Sequence, residues 1–260
     1  MSLSQTDVDK IRLAAELLHD CQRLFFITGA GISADSGLPT YRGIGGLYNN
    51  QATDEGIPIE DAISGEMMES NPAVSWKYLA QMEEACRGAS FNRGHEVMAE
   101  MQEAFEEVWV LTQNIDGFHR AAGSKNVIDI HGDIHVLACT ICDHRETVED
   151  YSGLGSIPPK CPKCGCVVRP EVVLFGEQLP GDKCELLMSE WQNGFDIVFS
   201  VGTTSVFPYI SQPVSYAKYH DIPTVEINPG DTSVSHIVDI KIAGRAAESL
   251  DELWRLYRDQ

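Results

Sequence analysis

The chain has 260 residues, 43% of them hydrophobic, and a formal net charge of −20 at pH 7. This length suits one large domain, or a large domain with a small insert. With no apolar run of about 18 residues and no signal-peptide pattern in its first 20 residues, we expect a cytoplasmic protein without a membrane partner. The charge disfavours nucleic acid as a partner and favours basic, lysine-rich proteins.

Helices and strands are predicted to alternate along most of the chain. A helix over 7–20 precedes a short buried strand over 24–27. Further strands are predicted over 108–111, 127–130, 172–176, 195–201 and 224–227, and further helices over 95–107, 182–193, 208–219 and 247–258. This alternation predicts an α/β fold with a doubly wound, mostly parallel, Rossmann-like sheet.

Two stretches interrupt the alternation. Residues 46–95 are turn-rich and then predict a helix entered at Asn71-Pro72, whose apolar face is more typical of a core than of a substrate site. Residues 133–171 contain paired cysteines. We expect the helical insert 46–95 and the module 133–171 to form a smaller domain. The ranges 1–45, 96–132 and 172–260 then form the Rossmann-like domain.

The paired cysteines predict a zinc ribbon. Cys139 and Cys142 form one Cys-x-x-Cys pair and Cys161 and Cys164 another, and 18 residues separate the two pairs. In a chain without a secretion signal, this spacing favours a metal over disulfides. Four thiolates leave no open coordination position, so we expect one structural zinc ion per chain. Cys166 is the rival of Cys164, which has the better spacing.

A glycine-rich turn follows the strand over 24–27. The pattern Gly29-x-Gly31-x-x-Ala34 fits the loose dinucleotide fingerprint. We expect these glycines to let a phosphate approach the backbone, where free N–H groups begin a helix. Ser33 and Asp35 are typical helix-entry residues. No acidic residue ends a second strand about 20 residues on, so the ribose must be held in another way.

Polar residues follow two later predicted strands. Gln113, Asn114 and Asp116 follow the strand over 108–111, and His131 follows the strand over 127–130. Because ligands bind beyond the carboxyl ends of parallel strands, we expect these side chains to share one rim with the glycine-rich turn.

The segment GAGISADSGLPTYR, over 29–42, resembles the cofactor loop of sirtuins, the NAD-dependent protein lysine deacylases; sirtuins commonly have Phe at the position of Tyr41. In the sirtuin order, the chain then has QNID over 113–116, His131-Gly132, the four cysteines, RPEVVLFGE over 169–177 and GTT over 202–204. The resemblance implies an NAD-dependent protein deacetylase. It transfers the acyl group of acyl-lysine to ADP-ribose and releases nicotinamide.

The resemblance also implies the residues of the site. His131 is implied as the general base that deprotonates a ribose hydroxyl, with Asn114 and Asp116 orienting the nicotinamide end. The implied cofactor-binding residues are Gly29, Ala30, Gly31, Ser33, Asp35, Tyr41, Arg42, Gln113, Asn114, Ile115, Asp116, Gly202, Thr203, Thr204, Asn228 and Ala246. The implied substrate-binding residues are Val173, Phe175, Gly176 and Glu177, with an acetylated peptide added as a strand between 172–177 and 206–209.

Two departures from the pattern of other sirtuins lie on the substrate side, and the second of them concerns the choice of acyl group. Pro208 follows Gly202 after six residues, where many sirtuins have seven, so the loop is shortened. Some sirtuins that remove acidic acyl groups carry Tyr and Arg at positions that, counted from Pro72, are Leu79 and Met82 here. We therefore expect acetyl-lysine to be preferred.

Two alternatives remain open from the sequence. The same site is compatible with mono-ADP-ribosyl transfer to another nucleophile. A non-catalytic NAD- or zinc-binding module is the other alternative, against which the presence of His131, Asn114 and Asp116 argues.

Overall fold

The structure is a computed structural model that describes residues 3–40 and 53–259. Its helices are α1 (Gln5–Leu18), α2 (Ala30–Ser33), α3 (Ile59–Ala62), α4 (Gly65–Ser70), α5 (Pro72–Cys86), α6 (Arg93–Ala104), α7 (Phe118–Ala121), α8 (Gly181–Gln192), α9 (Pro208–Tyr219) and α10 (Ala246–Arg258). Its strands are β1 (Arg23–Thr28), β2 (Glu107–Thr112), β3 (Val127–Asp129), β4 (Gly132–Cys139), β5 (Arg145–Thr147), β6 (Val168–Val172), β7 (Ile197–Val201), β8 (Thr224–Ile227) and β9 (Ile240–Ile242).

Six strands form one parallel sheet in the order β3-β2-β1-β7-β8-β9. The predicted doubly wound, Rossmann-like sheet is therefore confirmed. The order reverses between β1 and β7, the position at which ligands bind in such sheets. Strand β9 was not predicted.

Both faces of this sheet are buried, which explains the continuous apolar sequence of β1. Leu24 and Phe26 point into a cluster with residues of α1, α6 and α10. Phe25 and Ile27 point into a second cluster, which contains residues of α9. The side chains alternate between the two faces, as the twofold repeat of a strand requires.

A second sheet contains β5, β4 and β6, all antiparallel. It shares a hydrophobic cluster with α5, in which Trp76 and Leu79 pack with Leu137 and Val168. The indole N–H of Trp76 donates to the carbonyl of Val168 at 2.9 Å. This contact joins the predicted helical insert to the cysteine-bearing module; the residue limits of the two domains stay a prediction.

The predicted strand over 172–176 is wrong, because strand β6 ends at Val172. Beyond it, the N–H groups of Val173 and Phe175 donate to the carbonyls of His131 and Ile63 at 2.9 and 3.1 Å. These two partners lie in different segments, so the backbone bridges segments instead of extending one strand. The predicted helix over 95–107 also extends too far, since β2 begins at Glu107. None of the helices in the described ranges is long and apolar enough to span a bilayer.

Candidate active site and metal centre

The turns after β1 and β7 meet at the carboxyl end of the sheet. The N–H of Gly31 donates to the carbonyl of Gly202 at 2.8 Å, and the N–H of Gly29 donates to that of Val201 at 3.2 Å. A Cβ atom on Gly31 would lie 2.6 Å from the Cα of Gly202, too close for any side chain. The glycine at 31 is therefore required by the neighbouring backbone. The expectation that these N–H groups are free for a phosphate is wrong for Gly29 and Gly31.

A cavity of about 950 Å³ opens beside this meeting point. The predicted residues that line it are Gly29, Ala30, Gly31, Gln113, Asn114, Ile115, His131, Val173, Phe175, Gly176, Glu177, Gly202, Thr203, Thr204, Asn228 and Ala246. A smaller cavity of about 20 Å³ shares Ala30, Asn114 and Ile115 with it and is also lined by Ser33 and Asp116. The structure thus brings together most of the residues that the sequence singled out.

A hydrogen-bonded chain fixes the side chains of the QNID segment. The amide nitrogen of Asn114 donates to the carbonyl of Gly29 at 3.1 Å and to the hydroxyl of Ser33 at 3.2 Å. The Ser33 hydroxyl donates in turn to the carboxylate of Asp116 at 2.6 Å. Burial raises the pKa of Asp116, while the bond from Ser33 opposes that rise. Asn114 is therefore held between the glycine-rich turn and an acidic group.

Thr203 connects the two ends of the large cavity. Its hydroxyl accepts a hydrogen bond from the side-chain amide of Gln113 at 2.7 Å, and its carbonyl accepts one from that of Asn228 at 3.1 Å. The sequence pointed to Thr203 and Asn228 only through the resemblance, and to Gln113 also through its position after a predicted strand. Their direct contacts show that β2, β7 and β8 present polar groups to one space.

His131 follows β3 and lies at the cavity wall. Its Nδ1 is 2.9 Å from the carbonyl of Gln113, and its Nε2 is 2.6 Å from the hydroxyl of Tyr209. A carbonyl can only accept, so the ring proton resides on Nδ1 and the lone pair on Nε2. Burial is the main cause of a lowered pKa for His131. The imidazole is therefore neutral at pH 7 and has the protonation state of a general base. Tyr209 was not predicted as a partner.

Three predicted cofactor residues lie apart from the cavity or outside the described ranges. The carboxylate of Asp35 pairs with Arg245 at 2.6 Å and accepts from the N–H of Ala247 at 3.0 Å, in the first turn of α10. Asp35 thus joins the cofactor loop to that helix and is not among the lining residues. Tyr41 and Arg42 fall outside the described residues.

Glu177 lines the cavity, but its carboxylate is hydrogen-bonded to Arg169 and Leu174. It accepts from the guanidinium of Arg169 at 2.5 and 3.0 Å and from the N–H of Leu174 at 2.8 Å. These bonds shape the backbone that carries Val173 and Phe175.

The four predicted zinc ligands converge in the ribbon. The Sγ atoms of Cys139, Cys142, Cys161 and Cys164 all lie within 4.8 Å of one another. Two of the pairs, Cys139–Cys164 and Cys142–Cys161, are 3.5 Å apart. Tetrahedral zinc–thiolate bonds of about 2.3 Å place sulfurs about 3.8 Å apart, so this arrangement fits zinc. Cys166 is not part of the group.

Comparisons with known proteins agree with this geometry. The model of the Sir2 family matches residues 29–208. The "NAD-dependent protein deacylase 2" of Pseudomonas aeruginosa is 49% identical over 245 residues, which covers 94% of this chain and 95% of that protein. The "NAD-dependent protein deacylase 1" of Archaeoglobus fulgidus is 37% identical over 236 residues, covering 90% and 93%.

Solved structures are similar over nearly the whole chain. A complex of a Sir2 homologue with NAD is 34% identical, with a TM-score of 0.84, and the match covers 100% of this chain and 96% of that one. A complex of Sir2 with a p53 peptide and NAD is 25% identical, with a TM-score of 0.79, and the match covers 96% and 99%.

Proposed function

The chain belongs to the Sir2 family, and on that premise we infer that it is an NAD-dependent protein deacylase whose preferred substrate is acetyl-lysine in a protein or peptide. In this reaction the acyl oxygen displaces nicotinamide from the ribose of NAD, and a ribose hydroxyl then takes over the acyl group. The observation that carries the proposal is the convergence of His131 and Asn114 with the turns after β1 and β7 on one cavity.

The cavity fits NAD in size and in chemistry. Its volume of about 950 Å³ lies at the upper end of the usual range for ligand sites, which leaves room for a dinucleotide and an acyl-lysine side chain. We propose that Gln113, Thr203 and Asn228 bind the sugar hydroxyls. Asn114 and Asp116 orient the nicotinamide end, because their side chains are fixed by Ser33.

His131 acts as the general base in this proposal. Its neutral imidazole has the lone pair on Nε2, which accepts from the Tyr209 hydroxyl, and the Gln113 carbonyl stabilises the positive charge that appears once a proton is taken. A base with a pKa near or below its usual value is ready to accept a proton at neutral pH. Tyr41 and Arg42 lie outside the described residues, and their binding of the cofactor stays a proposal that rests on the resemblance.

Some backbone N–H groups of the segment expected to bind the peptide, over 172–177, already donate hydrogen bonds within the protein. The N–H groups of Val173 and Phe175 already donate within the protein. We therefore propose that the peptide backbone pairs beside Gly176 and Val206, of which Val206 is 53% exposed. The side chains of Val173 and Phe175 line the cavity and form an apolar passage for the acyl-lysine chain.

We propose one zinc ion per chain, bound by the four clustered cysteines. A closed set of four thiolates gives zinc a structural role, because no position remains for a reactive water.

All eight cysteines are free of disulfides, as is typical of a reducing compartment, and on this ground we propose a cytoplasmic location.

The release of nicotinamide tests the proposed function. The protein is incubated with NAD alone, with NAD and an acetylated peptide, and with NAD and the same peptide unmodified. We expect release only with the acetylated peptide, together with loss of the acetyl group. Release that labels the unmodified peptide with ADP-ribose would instead indicate a transferase, and binding of NAD without any release would indicate a non-catalytic module.

A further inference from the structure

The hydroxyl of Tyr209 is hydrogen-bonded to Nε2 of His131, the atom with which a general base would accept a proton. Tyr209 lies in the first turn of α9, and its hydroxyl is 2.6 Å from Nε2. Both residues line the large cavity. A ribose hydroxyl that gives its proton directly to Nε2 would first have to displace this tyrosine.

The direction of the hydrogen bond follows from the groups around it. Nδ1 of His131 donates to the Gln113 carbonyl, so Nε2 accepts and Tyr209 donates. Burial raises the pKa of Tyr209 to about 12, so its hydroxyl carries a proton at neutral pH. The ammonium of Lys183 lies near His131 and lowers the pKa of its imidazole. This ammonium is paired with the carboxylate of Asp129 at 2.9 Å. The thiol of Cys184 lies near Tyr209 and adds to the rise in its pKa.

Tyr209 is held in this position by a second aromatic ring. The rings of Phe207 and Tyr209 stack at 5.5 Å with an angle of 15° between them. The rings of Phe207 and His131 are also nearly perpendicular, with centres 6.4 Å apart. Pro208, the first residue of α9, has a fixed φ angle between the two rings. Moving the tyrosine away from Nε2 would break the stack, so the hydroxyl is built to stay during the reaction.

We propose that Tyr209 relays the proton from the ribose hydroxyl to His131. As the ribose oxygen forms its bond to the acyl carbon, its O–H bond breaks and the proton passes to the Tyr209 oxygen. The tyrosine's own O–H bond breaks at the same time, and that proton forms an N–H bond with the Nε2 lone pair. The tyrosine is neutral before and after the step, and the positive charge rests on the imidazole beside the Gln113 carbonyl.

This proposal rests on the proposed function, and the variant Tyr209→Phe tests it by separating two steps. The loss of nicotinamide precedes the proton transfer, so we expect exchange of labelled nicotinamide into NAD to stay within about threefold of wild type. Formation of the acyl-ADP-ribose product should fall by about tenfold or more, the lower part of the effect usual for acid–base groups. The ratio of exchange to product formation therefore rises.

Tyr216→Phe is the matched control, since it removes a hydroxyl from the same helix at a side chain that is 48% exposed. Tyr216→Phe should change neither the rate of nicotinamide exchange nor the rate of product formation. The double variant His131→Ala with Tyr209→Phe should be no slower than His131→Ala alone, because the two residues act in one path. A Tyr209→Phe protein that forms product at the wild-type rate or faster would overturn the relay. Absence of peptide-dependent nicotinamide release in wild type would instead remove the proposed function on which the relay rests.

A readout without turnover checks the hydrogen bond itself. Donation from Tyr209 stabilises the neutral form of His131, so its loss should raise the pKa of that imidazole. An NMR titration of the His131 ring in wild type, Tyr209→Phe and Tyr216→Phe measures this. An unchanged pKa in Tyr209→Phe would contradict the assigned bond.

Discussion

An acidic acyl group is expected to be a poor substrate for this enzyme. Counted from Pro72, Leu79 and Met82 on α5 correspond to the Tyr and Arg of some sirtuins that remove acidic acyl groups, and both line the large cavity. Leu79 is only 1% exposed. Neither side chain donates a hydrogen bond or carries a charge, and a methionine adapts readily to an apolar acyl group.

Two cations, Lys77 on α5 and Arg87 directly after it, are already paired with carboxylates. The ammonium of Lys77 pairs with Asp54 and Glu55 at 2.8 and 2.9 Å. The guanidinium of Arg87 pairs with the buried carboxylate of Glu83 at 2.5 Å. Turning either cation into the cavity would leave its acidic partners uncompensated, and for Glu83 that carboxylate is buried.

The size of the effect follows from this lack of a partner. Among the described lining residues, Arg245 is the one with a permanent positive charge, and it pairs with Asp35 beside α10. A succinyl carboxylate beside Leu79 and Met82 would be buried without a counter-charge, at a cost of several kcal/mol. Since each 1.4 kcal/mol is about tenfold, we expect kcat/KM for acetyl-lysine to exceed that for succinyl-lysine by at least about 10²-fold.

Rates on acetyl- and succinyl-lysine versions of one peptide test this expectation. Met82→Arg should raise the succinyl rate relative to the acetyl rate, because it adds a cation to the cavity wall. Met82→Gln is the control, since it adds polarity at similar length without charge. Comparable rates on the two peptides in wild type would show that a cation does reach the acyl group and would refute the reasoning.

Three further changes have defined outcomes. His131→Ala should lower deacylation by about 10²-fold or more while NAD still binds by calorimetry. In wild type the lowered pKa keeps the imidazole neutral, so activity should fall only below pH 6.5, as a pH–rate profile will show. Cys142→Ser should release zinc and unfold at least the ribbon, whereas Cys166→Ser should keep the metal, as elemental analysis will show. Gly31→Ala should lower the free energy of unfolding by about 1–3 kcal/mol in urea titrations, because its Cβ meets backbone at 2.6 Å, while Gly181→Ala, in open space, should not.

The sequence predicted the fold well where a local pattern carries the information. Buried parallel strands such as β1 and β7 are continuous apolar runs, and the helices between them have the expected spacing. The segment over 172–176 looks like such a strand, yet its hydrogen bonds go to His131 and Ile63. Those partners are distant in the chain, and no local pattern reports them.

The same limit applies to the site. The polar residues after β2 and β3 could be assigned to one rim from topology, because their positions at strand ends are local facts. The role of Gly31 could not be found, because the atoms that exclude a side chain belong to Gly202 in another loop. A glycine in a fingerprint thus has two physical explanations, a close ligand or a close backbone, and only the structure distinguishes them.

Tyr209 shows what a small departure from a family pattern means physically. The sequence revealed only that the loop after Gly202 is one residue shorter than in many sirtuins. In the structure, that loop leads through Phe207 and Pro208 directly to a tyrosine whose hydroxyl meets His131. The first polar side chain of the following helix α9 is that of Tyr209. Its hydroxyl donates to the Nε2 lone pair of His131, the proposed general base, so the path of the proton in the proposed reaction is where the contribution of Tyr209 should be measurable.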